Sequence, residues 1–389
     1  MQQQPDSSPV RWNNTQVSSV LGIDYPIIQG PLGGLSTQKL TATVSNFGGL
    51  GFFGAHGLVP SAIADVIAEI RALTAKPFAM NLWVSMEDEG ARASGEKEFA
   101  RSLAHVSGHI QALGAPLPHY KPYVPVRFED QVRVLLDAKV PVFSFIAGVP
   151  PKEVLDECRT QGILTIGTAT TPAEARVLDE AGVNVIVASG FEAGGHRGSF
   201  LLSAEDSLTG TFALIPQVVD AVSAPVVAAG GIADARGIVA AFALGAEGVQ
   251  MGTAFLASEE SGANPHHRHA LLSGKAGRTT LTKGFTGRLA RGIHNQLLED
   301  LNRQGVDILP YPLQRHLMRN LAIPAEKAGR TDLLQLWAGQ SANLSREGDA
   351  KMLLQTLIAE IADIAGTVFD WSRERRQRYY RSSTTDVSS

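Results

Sequence analysis

The sequence has very little cysteine, no strong charge of either sign and no long apolar run. Cys158 is the only cysteine among 389 residues, so an intrachain disulfide is excluded, and we expect a structural thiol in a cytoplasmic protein. A net charge of −4 gives no reason to expect nucleic acid or an anionic membrane as a partner. No apolar run is long enough to span a bilayer, and residues 1–9 lack the apolar core of a signal peptide.

Short apolar runs alternate with helix-like stretches through the first two thirds of the chain. Eight runs are typical of buried strands: residues 26–29, 49–53, 78–84, 141–146, 163–167, 183–188, 225–229 and 248–251. Alternation of this kind indicates a parallel sheet, and eight repeats favour a closed (β/α)8 TIM barrel, an α/β fold. An open doubly wound sheet is the alternative, but no Gly-x-Gly-x-x-Gly motif follows the first strand.

Two regions depart from a plain barrel. We predict an N-terminal extension over residues 1–19, the barrel over 20–258, a cap or substrate domain over 259–370 and a disordered tail over 371–389. The polar insert 85–126 is longer than a strand-to-helix loop needs, so we expect it to cover the barrel mouth as a lid. The cap is expected to be mainly helical, with helices near residues 297–303, 312–321 and 350–364.

The strand ends carry the candidate functional residues, because a TIM barrel places its chemistry at their C-terminal ends. The first strand ends in a glycine-rich loop, residues 29–34, and the third carries the polar Asn81. The sixth ends at Ser189 and leads into a loop with Gly194 and His196. Glycine lets the backbone approach a flat ligand, and an imidazole beside it can donate a hydrogen bond, carry charge or accept a proton.

The loops after the seventh and eighth strands predict a phosphate site. Gly230 and Gly231 end the seventh strand, and Gly252 and Thr253 end the eighth and open a short helix. Free backbone N–H groups and a helix N-terminus favour phosphate there. Together with the two other glycine loops, this site indicates a phosphorylated flat cofactor, for which FMN fits well. A phosphosugar also fits, whereas pyridoxal phosphate needs a strand-end lysine that none of the eight strands supplies.

No cluster of His, Cys, Asp or Glu at the strand ends predicts a metal. The nearest group, His266, His267 and His269, follows the barrel on a polar, helix-like segment, so we interpret it as a solvated face. We likewise expect Arg197, next to His196, to point into solvent.

Several segments resemble the nitronate monooxygenases, formerly called 2-nitropropane dioxygenases. They are PIIQGP (26–31), FAMNL (78–82), ASGFEAGGHRG (188–198), AGGIA (229–233), QMGT (250–253), FTGRLARG (285–292) and LWAGQ (336–340). The resemblance covers about residues 20–365. Without the last two segments, the set is shared with flavin-dependent enoyl-carrier-protein reductases.

The resemblance implies an FMN enzyme without a metal. It implies FMN contacts at Asn81, Ser189, Gly194, Gly231, Gln250, Met251, Gly252 and Thr253, and an active-site histidine at His196. Ser189 stands where the family often has Gln and reaches less far, while Leu32 stands where a Met is common and still packs against the flavin ring. Tyr311 is a candidate substrate contact from the cap, or an ordinary aromatic at a helix start.

The resemblance also implies the reaction: O2 oxidises an alkyl nitronate, such as propionate 3-nitronate, to a carbonyl compound and nitrite through a flavosemiquinone. Such a reaction would detoxify nitroalkanes. His196 either anchors the nitronate as a cation or, as a neutral base, removes the α-proton of a nitroalkane. Two other functions stay open: an NAD(P)H-driven FMN barrel oxidoreductase, and a flavin-binding tailoring protein of a biosynthetic pathway. The oligomeric state is open as well.

Overall fold

Eight parallel strands form a barrel in the computed structural model, which describes residues 12–85, 88–124, 126–303 and 305–364. All eight predicted strands are present, with ends that differ by no more than two residues, so the TIM-barrel prediction is confirmed. The strands of the described chain are β1 Ile27–Gln29, β2 Gly51–Gly54, β3 Phe78–Trp83, β4 Val142–Ile146, β5 Leu164–Ala169, β6 Val185–Ser189, β7 Gly195–His196, β8 Val226–Ala229, β9 Gly248–Met251, β10 Thr279–Thr282 and β11 Ala290–Ile293.

The barrel closes between β1 and β2. Around the sheet the strand order is β1-β9-β8-β6-β5-β4-β3-β2, and a parallel bridge between Ile28 and Leu50 joins the two ends. The buried Gln29 side chain strengthens this joint, since its amide bonds both the backbone N–H and the carbonyl of Phe52. Because the order follows the chain and returns to β1, the alternative of an open doubly wound sheet is wrong.

Several of the described helices begin at a capping side chain or a proline, and some end at a glycine. Thr37, Thr171 and Asp234 each accept a hydrogen bond from a first-turn N–H, and Pro60 and Pro172 occupy first helical positions. The helices are α1 Gln16–Leu21, α2 Gln38–Phe47, α3 Pro60–Leu73, α4 Glu96–Ala112, α5 Phe128–Asp137, α6 Lys152–Gln161, α7 Pro172–Glu180, α8 Thr211–Val219, α9 Ala235–Ala243, α10 Thr253–Leu256, α11 Pro265–Leu271, α12 Gln296–Arg303, α13 Leu313–Lys327 and α14, residues 350–364.

The two ends of the barrel interior differ in polarity. Apolar side chains such as Phe52 and Val187 fill one end, and Val17 and Leu21 of α1 pack against them. At the other end, polar side chains point inward from five strands: Asn81, Ser144, Thr168, Ser189 and Gln250. Buried polar groups at the carboxyl ends of the strands are what a binding site requires, so the fold places the site there. Cys158 lies fully buried in the apolar layer outside the barrel, as a structural thiol would.

The predicted lid insert contains α4, which packs against the cap. Val106 and Ile110 of α4 share an apolar cluster with Leu317 of α13, and Ser102 donates a hydrogen bond to Gln314 at 2.9 Å. The insert and the cap therefore share one core. Their covering role remains a prediction.

The segment after β9 contains more than helices. Strands β10 and β11 form an antiparallel hairpin that the sequence did not suggest, and β11 pairs with β7 to make a three-stranded sheet. The last helix among the described residues, α14, packs on the barrel: Leu354 and Leu357 share a cluster with Leu40 of α2 and Ile238 of α9. This is the place of a barrel's eighth helix, so we propose that the cap is an insertion between β9 and α14, over residues 259–349.

In the described part of the chain, no helix has both the length and the apolar character needed to cross a membrane. The predicted tail, residues 371–389, lies outside the described residues.

Candidate active site

His196 lies on a short strand whose partner comes from the cap. Its backbone is in register with Ala290 of β11, and the N–H of the next residue, Arg197, donates to the carbonyl of Leu289 at 2.9 Å. The sequence suggested a free glycine-rich loop. Instead, the hairpin fixes the backbone of His196 by sheet hydrogen bonds.

Aromatic rings surround the His196 side chain. Trp83, at the end of β3, and Trp337 present their rings at 4.9 and 5.3 Å from it, both in edge-on geometry. Tyr311 lies farther, at 6.2 Å, and stacks obliquely on Trp83. His56 stacks on Trp83 with ring centroids 4.2 Å apart. The imidazole is thereby held in a rigid, largely apolar box.

This box keeps His196 neutral at physiological pH. Burial is the main cause that lowers the pKa of His196 well below its ordinary value of 6.5. Repulsion by His56, when that ring is protonated, and by the guanidinium groups of Arg315 and Arg288 lowers the pKa further. The imidazole is then a hydrogen-bond donor at one nitrogen and an acceptor at the other.

Hydrogen bonds decide which nitrogen carries the proton. The Nε2 atom of His196 lies 2.9 Å from the hydroxyl of Thr286, and that hydroxyl donates its only proton to the carbonyl of Arg288 at 3.1 Å. Thr286 can therefore only accept from His196, so Nε2 bears the hydrogen and Nδ1 keeps its lone pair.

Most of the predicted site residues line one cavity at the carboxyl ends of the strands. They are Leu32, Asn81, Ser189, Gly194, His196, Gly230, Gly231, Gln250, Gly252 and Thr253. Thr168 of β5 lines it too. The inward-pointing polar side chains at the strand ends form the polar floor of the cavity. Within it, the amide of Asn81 donates to the Ser144 hydroxyl at 3.0 Å, which orients both groups.

Two predicted residues do not line this cavity. Met251 is fully buried on the outer face of β9, in the same apolar cluster as Leu40 and Phe255, and only its carbonyl turns toward the first loop, where it accepts from Gly30. Tyr311 lies behind Trp83 and lines an adjoining second cavity.

Gly230, Gly231 and Gly252 lie together at one end of the cavity, which we call the glycine corner. Gly230 and Gly231 have φ angles of 106° and 70°, which favour glycine. Gly252 has open space where a Cβ would stand: the nearest atom is Leu32 Cδ2 at 3.7 Å. The cap completes the corner, since Gly339 donates to the Thr253 hydroxyl at 2.9 Å and Ser341 donates to the carbonyl of Gly231.

Gly194 is a glycine for a packing reason that the sequence did not reveal. A Cβ there would stand 2.6 Å from the backbone of Ala338 and Gly339, and Gln340 donates to the carbonyl of Glu192. The glycine loop and the LWAGQ segment thus interlock backbone against backbone.

Four aromatic or charged residues of the cavity wall were missed by the sequence analysis: His56, Trp83, Arg315 and Trp337. Trp83 ends a predicted strand and Trp337 lies in a recognised motif, so position was a signal for both. Nothing local marks His56 or Arg315. His56 is 6% exposed, and its Nδ1 atom has no partner among the described residues.

Two expectations about surface residues are wrong. Arg197 is buried, and its guanidinium donates to the carbonyls of Ser189 and Ser207, so it ties the loop together. His267 is also buried and bonds the carbonyl of Trp337 at 2.9 Å, while His269 is exposed. Burial lowers the pKa of His267 to about 4. No metal-binding group of three or more such side chains occurs among the described residues.

Comparisons with known proteins agree on one family. The family model for nitronate monooxygenase matches residues 14–360. A probable nitronate monooxygenase of Staphylococcus haemolyticus is 39% identical over 92% of this chain and 99% of its own length, and one of Staphylococcus aureus is 38% identical over 91% and 99%.

Two solved structures are similar over nearly the whole chain. A nitroalkane oxidase from Streptomyces ansochromogenes has a TM-score of 0.83 at 37% identity, covering 91% of this chain and all of the other. FabK from Thermotoga maritima has a TM-score of 0.71 at 29% identity, covering 92% of this chain and 99% of the other.

Proposed function

The chain belongs to the nitronate monooxygenase family and is a flavin-dependent oxidoreductase, and on that premise we propose that it uses FMN to oxidise alkyl nitronates with O2 to a carbonyl compound and nitrite. The observation that carries the proposal is a single cavity that combines a polar floor, a glycine corner and a neutral histidine. Propionate 3-nitronate is the substrate that we propose to test first.

The residues present fit FMN. The glycine corner supports a phosphate site, because a Cβ at Gly252 would project into the cavity and the first-turn N–H groups of α10 have no partner within that helix. The side chains of Asn81, Ser189 and Gln250 supply polar groups for the heteroatoms of a ring, and Leu32 supplies an apolar contact. A flavin held by these residues would supply the redox chemistry, the transfer of electrons from the substrate to O2.

His196 acts as a base in this proposal. A cationic role needs a protonated ring, and the low pKa of His196 opposes that. With Nε2–H held by Thr286, the Nδ1 lone pair takes the α-proton of a neutral nitroalkane. A preformed nitronate has already lost that proton, so it reacts without this step. The rings of Trp83 and Trp337 pack against His196 and hold the base in place.

A direct experiment compares electron donors. Purified holoenzyme receives preformed propionate 3-nitronate, and O2 uptake and nitrite release are followed together. We expect both without any nicotinamide cofactor. Oxidation of NADPH with no nitrite from the nitronate would instead favour the enoyl-reductase-like alternative, and flavin without either activity would favour a tailoring protein.

A further inference from the structure

A nitronate carries negative charge, and a neutral His196 does not offer it a positive partner. The cations near the cavity differ in what they already bind. Arg288 is engaged: its Nε atom donates to Asp88 Oδ1 at 2.6 Å, and its guanidinium covers the Tyr311 ring at 4.6 Å. Arg291 donates to the carbonyl of Phe191.

Arg315 differs from these arginines. It projects from α13, is partly exposed and lines the cavity that holds His196. Its hydrogen bond is a long one, 3.4 Å from Nη1 to the Tyr311 hydroxyl. Among the residues that the structure describes, no carboxylate lies within ion-pair distance of it. A guanidinium that is partly removed from water and has no ion-pair partner favours the binding of an anion.

We propose that Arg315 is the residue that binds the oxyanion of the substrate, through a planar pair of oxygens such as those of a nitronate or a carboxylate. The proposal rests on the proposed function. A guanidinium has two parallel N–H groups that match such a pair, which an ammonium group does not. Arg315 lines both cavities together with His56, whose Nδ1 atom has no partner among the described residues, so the wall offers a second unused polar group beside the guanidinium.

The second cavity offers space for the rest of a substrate. It meets the first along a shared wall that includes Gly33, His56 and Arg315. Its described lining includes two arginines, Arg315 and Arg319, but only one carboxylate, Glu326. An anionic tail is therefore favoured over a cationic one on this side. The oxygen pair on Arg315 belongs either to the nitronate itself or to a carboxylate at the far end of the substrate.

Two substrates and three variants separate these sources. Ethyl nitronate has only the nitronate oxygens, whereas propionate 3-nitronate has a carboxylate as well. Steady-state kinetics are measured for the wild type, Arg315→Met and Arg315→Lys, with Lys327→Met as a control that removes an exposed cation from the same helix outside both cavities. We expect KM for Arg315→Met to rise roughly 10- to 100-fold, the range for losing a charged hydrogen bond, with Arg315→Lys in between.

A rise for both substrates assigns Arg315 to the nitronate, and a rise for propionate 3-nitronate alone assigns it to the carboxylate. Unchanged KM values for both would overturn the proposal. A second readout does not need turnover: nitrate, a planar unreactive oxyanion, is titrated into each holoenzyme, and the flavin absorption spectrum is recorded. Weaker nitrate binding by Arg315→Met supports the proposal even if the wild type oxidises no nitronate, and equal binding contradicts it.

Discussion

At the scale of single residues, the contact between His196 Nε2 and the Thr286 hydroxyl sets the position of the proton on the imidazole. Thr286 donates to a carbonyl and must accept from His196, so one threonine sets which nitrogen is the base. The sequence identified His196 from its glycine loop. It could not identify Thr286, because that residue lies 90 positions away and only the fold brings the two together.

Replacing His196 separates the two substrate forms. His196→Asn keeps a hydrogen-bond donor but removes the base, so turnover of a neutral nitroalkane should fall by ~10²-fold or more. Oxidation of the preformed nitronate should fall much less. Initial rates of nitrite release on matched pairs of nitroalkane and nitronate check this. Full activity on both forms would remove His196 from the mechanism.

Thr286 should act through His196. In Thr286→Val the Nε2–H loses its acceptor and the ring is no longer fixed, so kcat/KM for a neutral nitroalkane should fall roughly 10- to 100-fold, as for other partners that orient a functional histidine. Thr286→Ser keeps the hydroxyl and serves as the control. A valine variant as active as the serine variant would show that the hydroxyl does not position the base.

At the scale of secondary-structure elements, the strands were predictable and the hairpin was not. Short apolar runs mark the eight barrel strands. By contrast, β10 and β11 read TTLT and ARGI, without alternating apolar residues, and their partner β7 has only two residues. Their pairing is set by tertiary contacts, which local patterns do not encode.

The loop from β9 into α10 carries a test of the cofactor site. Gly252→Leu should abolish flavin binding, because the new side chain enters the cavity next to Leu32 while the backbone at residue 252, with φ of −100°, tolerates a side chain. Gly277→Leu, at an exposed glycine with open space around its Cβ position, is the matched control. The flavin content per chain is read from absorbance. Full flavin retention in Gly252→Leu would place the phosphate elsewhere.

At the scale of the whole molecule, three histidines, two of them buried and one partly exposed, make stability depend on pH. Burial lowers the pKa of His56 to about 3 and that of His267 to about 4, and His196 is also held well below 6.5. Below pH 6.5 these histidines bind protons in the unfolded chain, whereas in the folded chain they bind protons only at lower pH. Stability is therefore full above pH 6.5 and is lost as pH falls, by about 1.4 kcal/mol per pH unit for each group.

Thermal unfolding of the holoenzyme between about pH 7 and about pH 5 checks this. The midpoint temperature should fall steadily with pH. His267→Gln keeps a donor for the Trp337 carbonyl but cannot titrate, so its midpoint should fall less steeply. Identical slopes for the two proteins would contradict the assignment of a buried, neutral His267.

The architecture of the whole chain was predictable only in part. The barrel followed from the periodicity of the apolar runs. The position of the site followed from the strand ends. The place of α14 did not, because an amphipathic helix after a long insertion has the same pattern whether it packs on a cap or on a barrel. The sequence carried no signal for the cations of the cap either. Arg315 becomes a candidate only because the fold places it on the same cavity wall as His56 and His196.

In the proposed reaction, a nitronate gives its electrons to the bound flavin without help from a nicotinamide. The most direct measurement mixes holoenzyme with propionate 3-nitronate in the absence of O2 and records the flavin absorption spectrum. We expect the oxidised-flavin bands to change on addition of the nitronate alone and to return when O2 is admitted. An unchanged spectrum with the nitronate, together with bleaching by NADPH, would contradict the account.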